Sequence, residues 1–272
     1  MKGAAKIDGD ALRTLQALTM QQIQTVVFLG SKPIGYQCFA HLIGQQDILG
    51  YKVIGLLTQQ RTEFAGAANL TQLATQHGIP VLDTPDDLPE TDLLYSVQYH
   101  AILTPAQLAK ARIAALNLHM APLPEYRGAN QFSMALLDGK TEFGTTLHLM
   151  DARIDHGAIL FQKRFPIPDA CWVEDLYTLT ETASLQLFTE TLPAVVSGTY
   201  TPVPQQELEA QYGSQLHYKN EIRTLKELPE ASCSEQLLRT VRATSMPGFE
   251  PPYLRTAGGE KIYLVREKDL KR

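Results

Sequence analysis

Residues 92–119, DLLYSVQYHAILTPAQLAKARIAALNLH, place a helical signal between two apolar runs. DLLYSVQY (92–99) is rich in aliphatic and aromatic residues and reads as a strand. TPAQLAKA (104–111) opens a helix, with Thr104 as N-cap and Pro105 at the first helical position, where a missing N–H leaves no gap. AALNLH (114–119) is a second strand. A strand, a helix and a strand in this order form a right-handed crossover between parallel strands. In open sheets of that kind ligands sit beyond the carboxyl ends of the strands. Asn117 and His119 fall at such an end.

The same alternation extends toward the N-terminus. QTVVFL (24–29) is a β-branched and aromatic run ending at Gly30, and an amphipathic stretch, 35–46, follows as a helix. KVIGLLT (52–58) is a further strand, NLTQLATQHG (69–78) a helix with Gly78 as its C-cap, and IPVL (79–82) a short strand. The fold class is therefore α/β with a mostly parallel sheet. GSKPIG (30–35) lacks the spacing of a dinucleotide fingerprint. Gln59 and Gln60 stand where an acidic ribose contact belongs, so a tight βα turn is favoured over a phosphate cradle.

Toward the C-terminus the pattern changes. NQFSMALLDG (130–139) is a short helix closed by Gly139; FGTTLHLM (143–150) and AILFQKRFPI (158–167) are strands joined by a turn, MDARIDHG. Residues 173–193 read as a helix ending at Pro193. Beyond 200 the chain becomes polar and mixed, with a helix at 234–243 and two short strands near 253–265. This predicts an N-terminal helical extension (1–22), a main domain (23–200) and a small C-terminal α+β subdomain (201–272).

The 272 residues, 44% hydrophobic and 19% charged with a formal charge of −5, suit a globular protein and argue against a dedicated nucleic-acid binder. Cys38, Cys171 and Cys233 show no ligand or disulfide spacing, so no metal site is expected and a reducing cytoplasm is. No apolar run reaches the ~18 residues of a membrane span.

Side chains two apart on a strand share a face, so Asn117 and His119 can reach one spot. An amide and an imidazolium donor converging there would form an oxyanion site. Asp155, at the next bend, could orient the histidine and help move a proton, with Asp151 as the competing carboxylate. Taken singly, each of these residues is more often structural. No GxSxG elbow occurs and no cysteine lies near Asn117 or His119 in sequence, so no acyl-enzyme nucleophile is evident. Direct transfer of an activated one-carbon acyl group to an amine fits better.

Two segments, NLHMAPLPEYRGANQ (117–131) and GTTLHLMDARIDHGAIL (144–160), resemble the formyltetrahydrofolate-dependent formyltransferase family. There an Asn-x-His is followed by a D-x-x-(hydrophobic)-D-x-G segment whose second aspartate is catalytic; here Asp155 stands 36 residues beyond His119. The resemblance implies a Rossmann-like formyltransferase domain with 10-formyltetrahydrofolate as co-substrate and no metal. It further implies that Asn117 and protonated His119 stabilise an oxyanion while Asp155 assists proton transfer. Folate contacts are then expected at Gln98, Tyr99, His100, Ile102, Leu103, Ala152 and Ile154. Ala121-Pro122-Leu123-Pro124 departs from the family's usual Ser-Leu-Leu-Pro.

The tail past residue 200 and the segment LHYKNEIR look more like nucleotide-sugar N-formyltransferases, enzymes of O-antigen synthesis, than methionyl-tRNA formyltransferases. The expected acceptor is thus a nucleotide-linked amino sugar, with tRNA disfavoured and a homodimer anticipated. Substrate contacts are expected at Pro122, Leu123, Tyr126, Arg127, Gln131 and Lys219, with Phe132, Trp172 and Tyr218 as further aromatic walls and Arg223 as a further cation. Methionyl-tRNA, phosphoribosylglycinamide and hydroxyornithine remain alternative acceptors. A folate-binding module without catalysis stays open as a different class, although the presence of Asn117, His119 and Asp155 together speaks against it.

Overall fold

The computed structural model describes residues 22–59, 69–228 and 234–269. Its centre is a seven-stranded sheet built from β1 (Thr25–Gly30), β2 (Lys52–Thr58), β3 (Val81–Leu82), β4 (Thr91–Val97), β5 (Ala111–His119), β7 (Glu142–Leu149) and β8 (Ile159–Pro166). A short strand, β6 (Tyr126–Gly128), lies between β5 and β7 in sequence and outside this sheet. The spatial order is β3-β2-β1-β4-β5-β7-β8. The first five strands run parallel and the last two antiparallel, which gives the expected α/β class.

Alternation along β1 explains why the sheet is buried on both faces. Val26 and Phe28 pack into one cluster and Val27 and Leu29 into another, all four fully buried. The first cluster is roofed by α1 (Lys32–Leu49) through Ile34, Cys38, Phe39 and Leu42, and by α5 (Val173–Ser197) through Leu187, Phe188, Leu192, Val195 and Val196. The second face is covered more thinly, by Leu88 and Leu103 from connecting segments. On β5, Leu116 and Leu118 point to the roofed face. The alternation therefore sends Asn117 and His119 to the thinly covered one.

Shorter elements depart from the expected bounds. α2 (Leu70–Gln76) is capped by the Asn69 side chain, and its C-cap is His77, with Gly78 next at φ +64°. The helix expected over 104–111 is one turn, α3 (Pro105–Leu108), closed by a Thr104/Gln107 capping box, because Ala111 is already paired with Thr91 in the sheet. α4 (Gln131–Leu137) ends before Gly139 as expected. α5 runs through Pro193 to Ser197 and stops at Gly198, φ +69°. An interior proline costs about 3 kcal/mol. Burying Val195 and Val196 in the core returns roughly 1.5–3 kcal/mol each, which is enough to carry the helix onward.

The chain past residue 200 holds α6 (Gln206–Tyr212), β9 (Gln215–His217), α7 (Glu221–Leu225), α8 (Ser234–Thr244) and the hairpin β10 (Tyr253–Arg255) with β11 (Lys261–Tyr263). It returns to the main sheet's surroundings: Val203 bridges Ile159, and β9 pairs in parallel with β6. Residues 1–21 of the expected N-terminal helical extension, Gln60 and Cys233 lie outside the described residues.

Candidate functional site

β5 and β7 set the floor of the site. Asn117 and His148 are direct cross-strand partners, and His119 pairs with Thr146. The Asn117 Nδ2 lies 3.2 Å from the His148 Nε2 and donates to the Asp155 Oδ1 at 3.3 Å. The His148 Nδ1 is 2.7 Å from the Leu149 carbonyl, which only accepts, so this nitrogen carries the proton. In the neutral ring the Nε2 then faces Asn117 as an acceptor.

Asp155 reaches the floor from the turn between β7 and β8. Its backbone adopts φ +45°, uncommon for a residue with a Cβ. The carboxylate touches four groups: Asn117, the Gly128 N–H at 2.9 Å, the His148 Nε2 at 3.4 Å and the His119 Nδ1 at 3.6 Å. Burial by itself would raise the carboxyl group. The charge of His119, the contact with His148 and the Gly128 amide outweigh it and hold Asp155 well below the usual carboxylate range. Gly157, two residues on, leaves no room for a side chain, since a Cβ would stand 2.0 Å from the Leu149 carbonyl oxygen.

A cleft of about 580 Å³ opens over this floor. Asn117, His148 and Asp155 line it, together with Tyr99, His100, Ile102 and Leu103 from the β4–α3 connection, Arg153 and Ile154 from the turn, and Tyr218 and Lys219 beyond β9. Asn130 holds that last segment in place by donating its Nδ2 to the Tyr218 carbonyl at 2.7 Å. The expected folate contacts Tyr99, His100, Ile102, Leu103 and Ile154 thus share one cleft, whereas Gln98 and Ala152 do not line it. Gln98 instead turns back at φ +56° and accepts from the Lys32 Nζ at 2.8 Å.

His119 departs from its expected position. It is buried and does not line the cleft; its Nε2 is 2.7 Å from the Tyr126 carbonyl and its Nδ1 faces Asp155. It therefore stands behind the carboxylate rather than beside Asn117. Asp151, the competing carboxylate, lies on the cleft rim and is engaged by the His156 Nδ1 at 2.8 Å and the Arg153 N–H at 2.8 Å.

Of the residues expected to meet the acceptor, only Lys219 and Tyr218 line the cleft. Leu123 and Tyr126 are core, and the Tyr126 ring packs against Phe143 while its hydroxyl donates to Asp138 at 2.7 Å. Pro122 is buried as well. Arg127, Gln131, Phe132 and Arg223 lie off the cleft, and Trp172 carries the Arg266 guanidinium over its ring at 4.5 Å. Sequence reasoning missed His148, because only the pairing register of two antiparallel strands brings it opposite Asn117. It also missed Gly128, whose contribution is a backbone amide. Among the described residues no group of three or more His, Cys, Asp or Glu side chains could hold a metal, and no helix is long and apolar enough to cross a membrane.

The profile of the family described as Formyl transferase matches residues 83–192. A methionyl-tRNA formyltransferase from Synechococcus sp. is 32% identical over 259 residues, which cover 89% of this chain and 76% of that one. Among solved structures, an N-formyltransferase from Helicobacter canadensis bound to folinic acid and dTDP-3-aminofucose superposes with a TM-score of 0.70 at 20% identity, covering 82% of this chain and 81% of its own. A 4-N formyltransferase from Francisella tularensis gives a TM-score of 0.75 at 16% identity, covering 91% and 98%.

Proposed function

Because the chain belongs to the formyl transferase family, we propose that it moves the formyl group of 10-formyltetrahydrofolate to the primary amine of a nucleotide-linked amino sugar. One observation carries the chemistry: the Asn117 amide and the Asp155 carboxylate meet at 3.3 Å on the floor of a cleft, with His119 behind the carboxylate.

The amine nitrogen attacks the formyl carbon, and the carbonyl electrons move onto its oxygen. Asn117 lies where an N–H can meet that developing charge, exchanging its long bond to Asp155 for one to the oxygen. The attacking nitrogen then loses a proton to Asp155, while the charge of His119 stays behind the carboxylate. Collapse breaks the bond to the folate nitrogen, and that nitrogen takes up a proton as tetrahydrofolate leaves. A carboxylate held as low as Asp155 is a weak base, so it keeps the proton only briefly and passes it to the leaving folate nitrogen.

The sugar acceptor is favoured by fold likeness extending over 98% of the Francisella tularensis chain and by the exposed Tyr218 and Lys219 on the cleft lip. A second reading, methionyl-tRNA as acceptor, is favoured by the higher sequence identity to the Synechococcus relative. Calorimetric titration with thymidine, guanosine and uridine diphosphates beside initiator methionyl-tRNA separates them. Micromolar binding of one nucleotide and none of tRNA supports the sugar reading; tight tRNA binding without nucleotide preference overturns it.

A further inference from the structure

Gln205 is 1% exposed and sits 50 residues beyond Asp155 in sequence, yet its side chain touches the catalytic turn twice. Its Nε2 donates to the Asp155 carbonyl at 2.9 Å and to the Gly157 carbonyl at 2.8 Å. A primary amide has two N–H groups on that nitrogen, so both are committed to this turn. The flanking chain is locked in turn: Val203 and Ile159 exchange both backbone hydrogen bonds at 2.8 Å. The amide is therefore delivered from a segment already fastened at the start of β8.

We propose that Gln205 is a positioning residue for formyl transfer, holding the turn that aims the Asp155 carboxylate at Asn117. The turn has reason to need it. Asp155 is in a backbone conformation that residues with a Cβ rarely adopt, and such conformations persist only where the surroundings over-determine them. Three constraints do so here. Gly157 admits no side chain against Leu149, the Gly128 amide fixes the carboxylate, and Gln205 fixes the backbone on either side of His156. Of the three, only Gln205 comes from the chain beyond residue 200. It makes the geometry of the catalytic carboxylate depend on that segment's docking. His156 adds a weaker tie to the same segment, its Nε2 lying 3.1 Å from the Gln206 Nε2.

This inference rests on the formyl-transfer reading for its kinetic arm but not for its structural one. Gln205→Met keeps the volume and removes both donors, and it should lower kcat about 10–100-fold while KM for either substrate stays within about threefold. Gln205→Glu places a carboxylate against two carbonyl oxygens at high pH; once protonated it regains one donor. Its activity relative to wild type should climb as pH falls, a burial-raised carboxyl group reaching toward neutrality, whereas the Gln205→Met ratio stays flat. Deuterium exchange over residues 151–158, read without substrates, should speed up in both variants at pH 8. Wild-type kcat in both variants with unchanged exchange overturns the proposal. Should Gln205→Met not fold, a pH-independent Gln205→Glu ratio overturns it. Accelerated exchange in a protein that formylates no nucleotide-linked amine keeps the clamp and sinks only the acceptor.

Discussion

Asn117 and His148 stand directly opposite each other on β5 and β7, with the amide nitrogen 3.2 Å from the ring Nε2. In the neutral ring, whose Nδ1–H is donated to the Leu149 carbonyl, the facing nitrogen offers Asn117 a lone pair and fixes which way its amide points. With that acceptor gone, the amide can rotate and present its oxygen to the cleft. His148→Leu should therefore lower kcat about 10–100-fold with little change in folate KM, the cost of a misaimed donor. Steady-state kinetics check this, and an unchanged kcat would show that Asp155 alone orients Asn117.

Removing the donor itself should cost more than misaiming it. Asn117→Ala is expected to lower kcat by about 10²–10³, the usual loss for one oxyanion donor. Folate affinity should hold, because the cleft walls at Tyr99–Leu103 are untouched. Fluorescence or calorimetric titration with a non-reactive folate, beside single-turnover formyl transfer, separates the two effects.

The pH behaviour of Asp155 follows from its direction of shift. Its folded value is depressed, so its contribution to stability is complete above the ordinary carboxylate value near 4 and fades as pH falls below it. The melting-temperature gap between wild type and Asp155→Asn should be widest at pH 6–8 and narrow toward pH 3. Between pH 6 and 9 the carboxylate does not titrate, so any limb in the wild-type rate profile over that range belongs to another group. A melting-temperature gap that widens toward pH 3 would contradict this assignment.

Gly157→Ala tests how tightly the turn is built. The new Cβ would meet the Leu149 backbone, 2.0 Å from its oxygen and 2.7 Å from its carbonyl carbon, and a backbone cannot rotate away as a side chain can. A destabilisation of about 2 kcal/mol is expected, near 4–8 °C in a domain of this size. Activity should fall with it, since Asp155 must move when residue 157 does. Thermal unfolding and kcat measured on one preparation check both.

Much of the framework was legible because local chemistry and global packing agree. The apolar runs at 24–29, 52–58 and 114–119 become buried strands, and the Thr104–Pro105 start signal holds even though its helix is one turn long. Pro193 misled because an interior proline is a local penalty, while Val195 and Val196 answer to a core assembled from distant strands. That Asn117 and Asp155 meet was expected from the bend between the two strands and from the family resemblance of MDARIDHG. His148, Gly128 and Gln205 were not, as each acts through a contact set by register or by chain far away in sequence. The expected substrate wall at Tyr126 failed for a related reason: nothing local reveals that Phe143 and Asp138 claim its ring and its hydroxyl.

Tyr126 gives the last prediction, one that separates core from contact. Its ring is buried, and that burial, together with a 2.7 Å bond from the hydroxyl to Asp138, pushes the phenol far above its ordinary value. Tyr126→Phe keeps the ring, the Phe143 packing and the backbone carbonyl that receives the His119 Nε2. Stability should drop by about 1–2 kcal/mol, the cost of one part-buried hydrogen bond to a charged partner, while kcat and both KM values stay within about twofold, far less than any loss of a reacting group. An acceptor KM raised tenfold would instead return Tyr126 to the substrate wall. In that case the ring would have to turn out of the Phe143 cluster on binding.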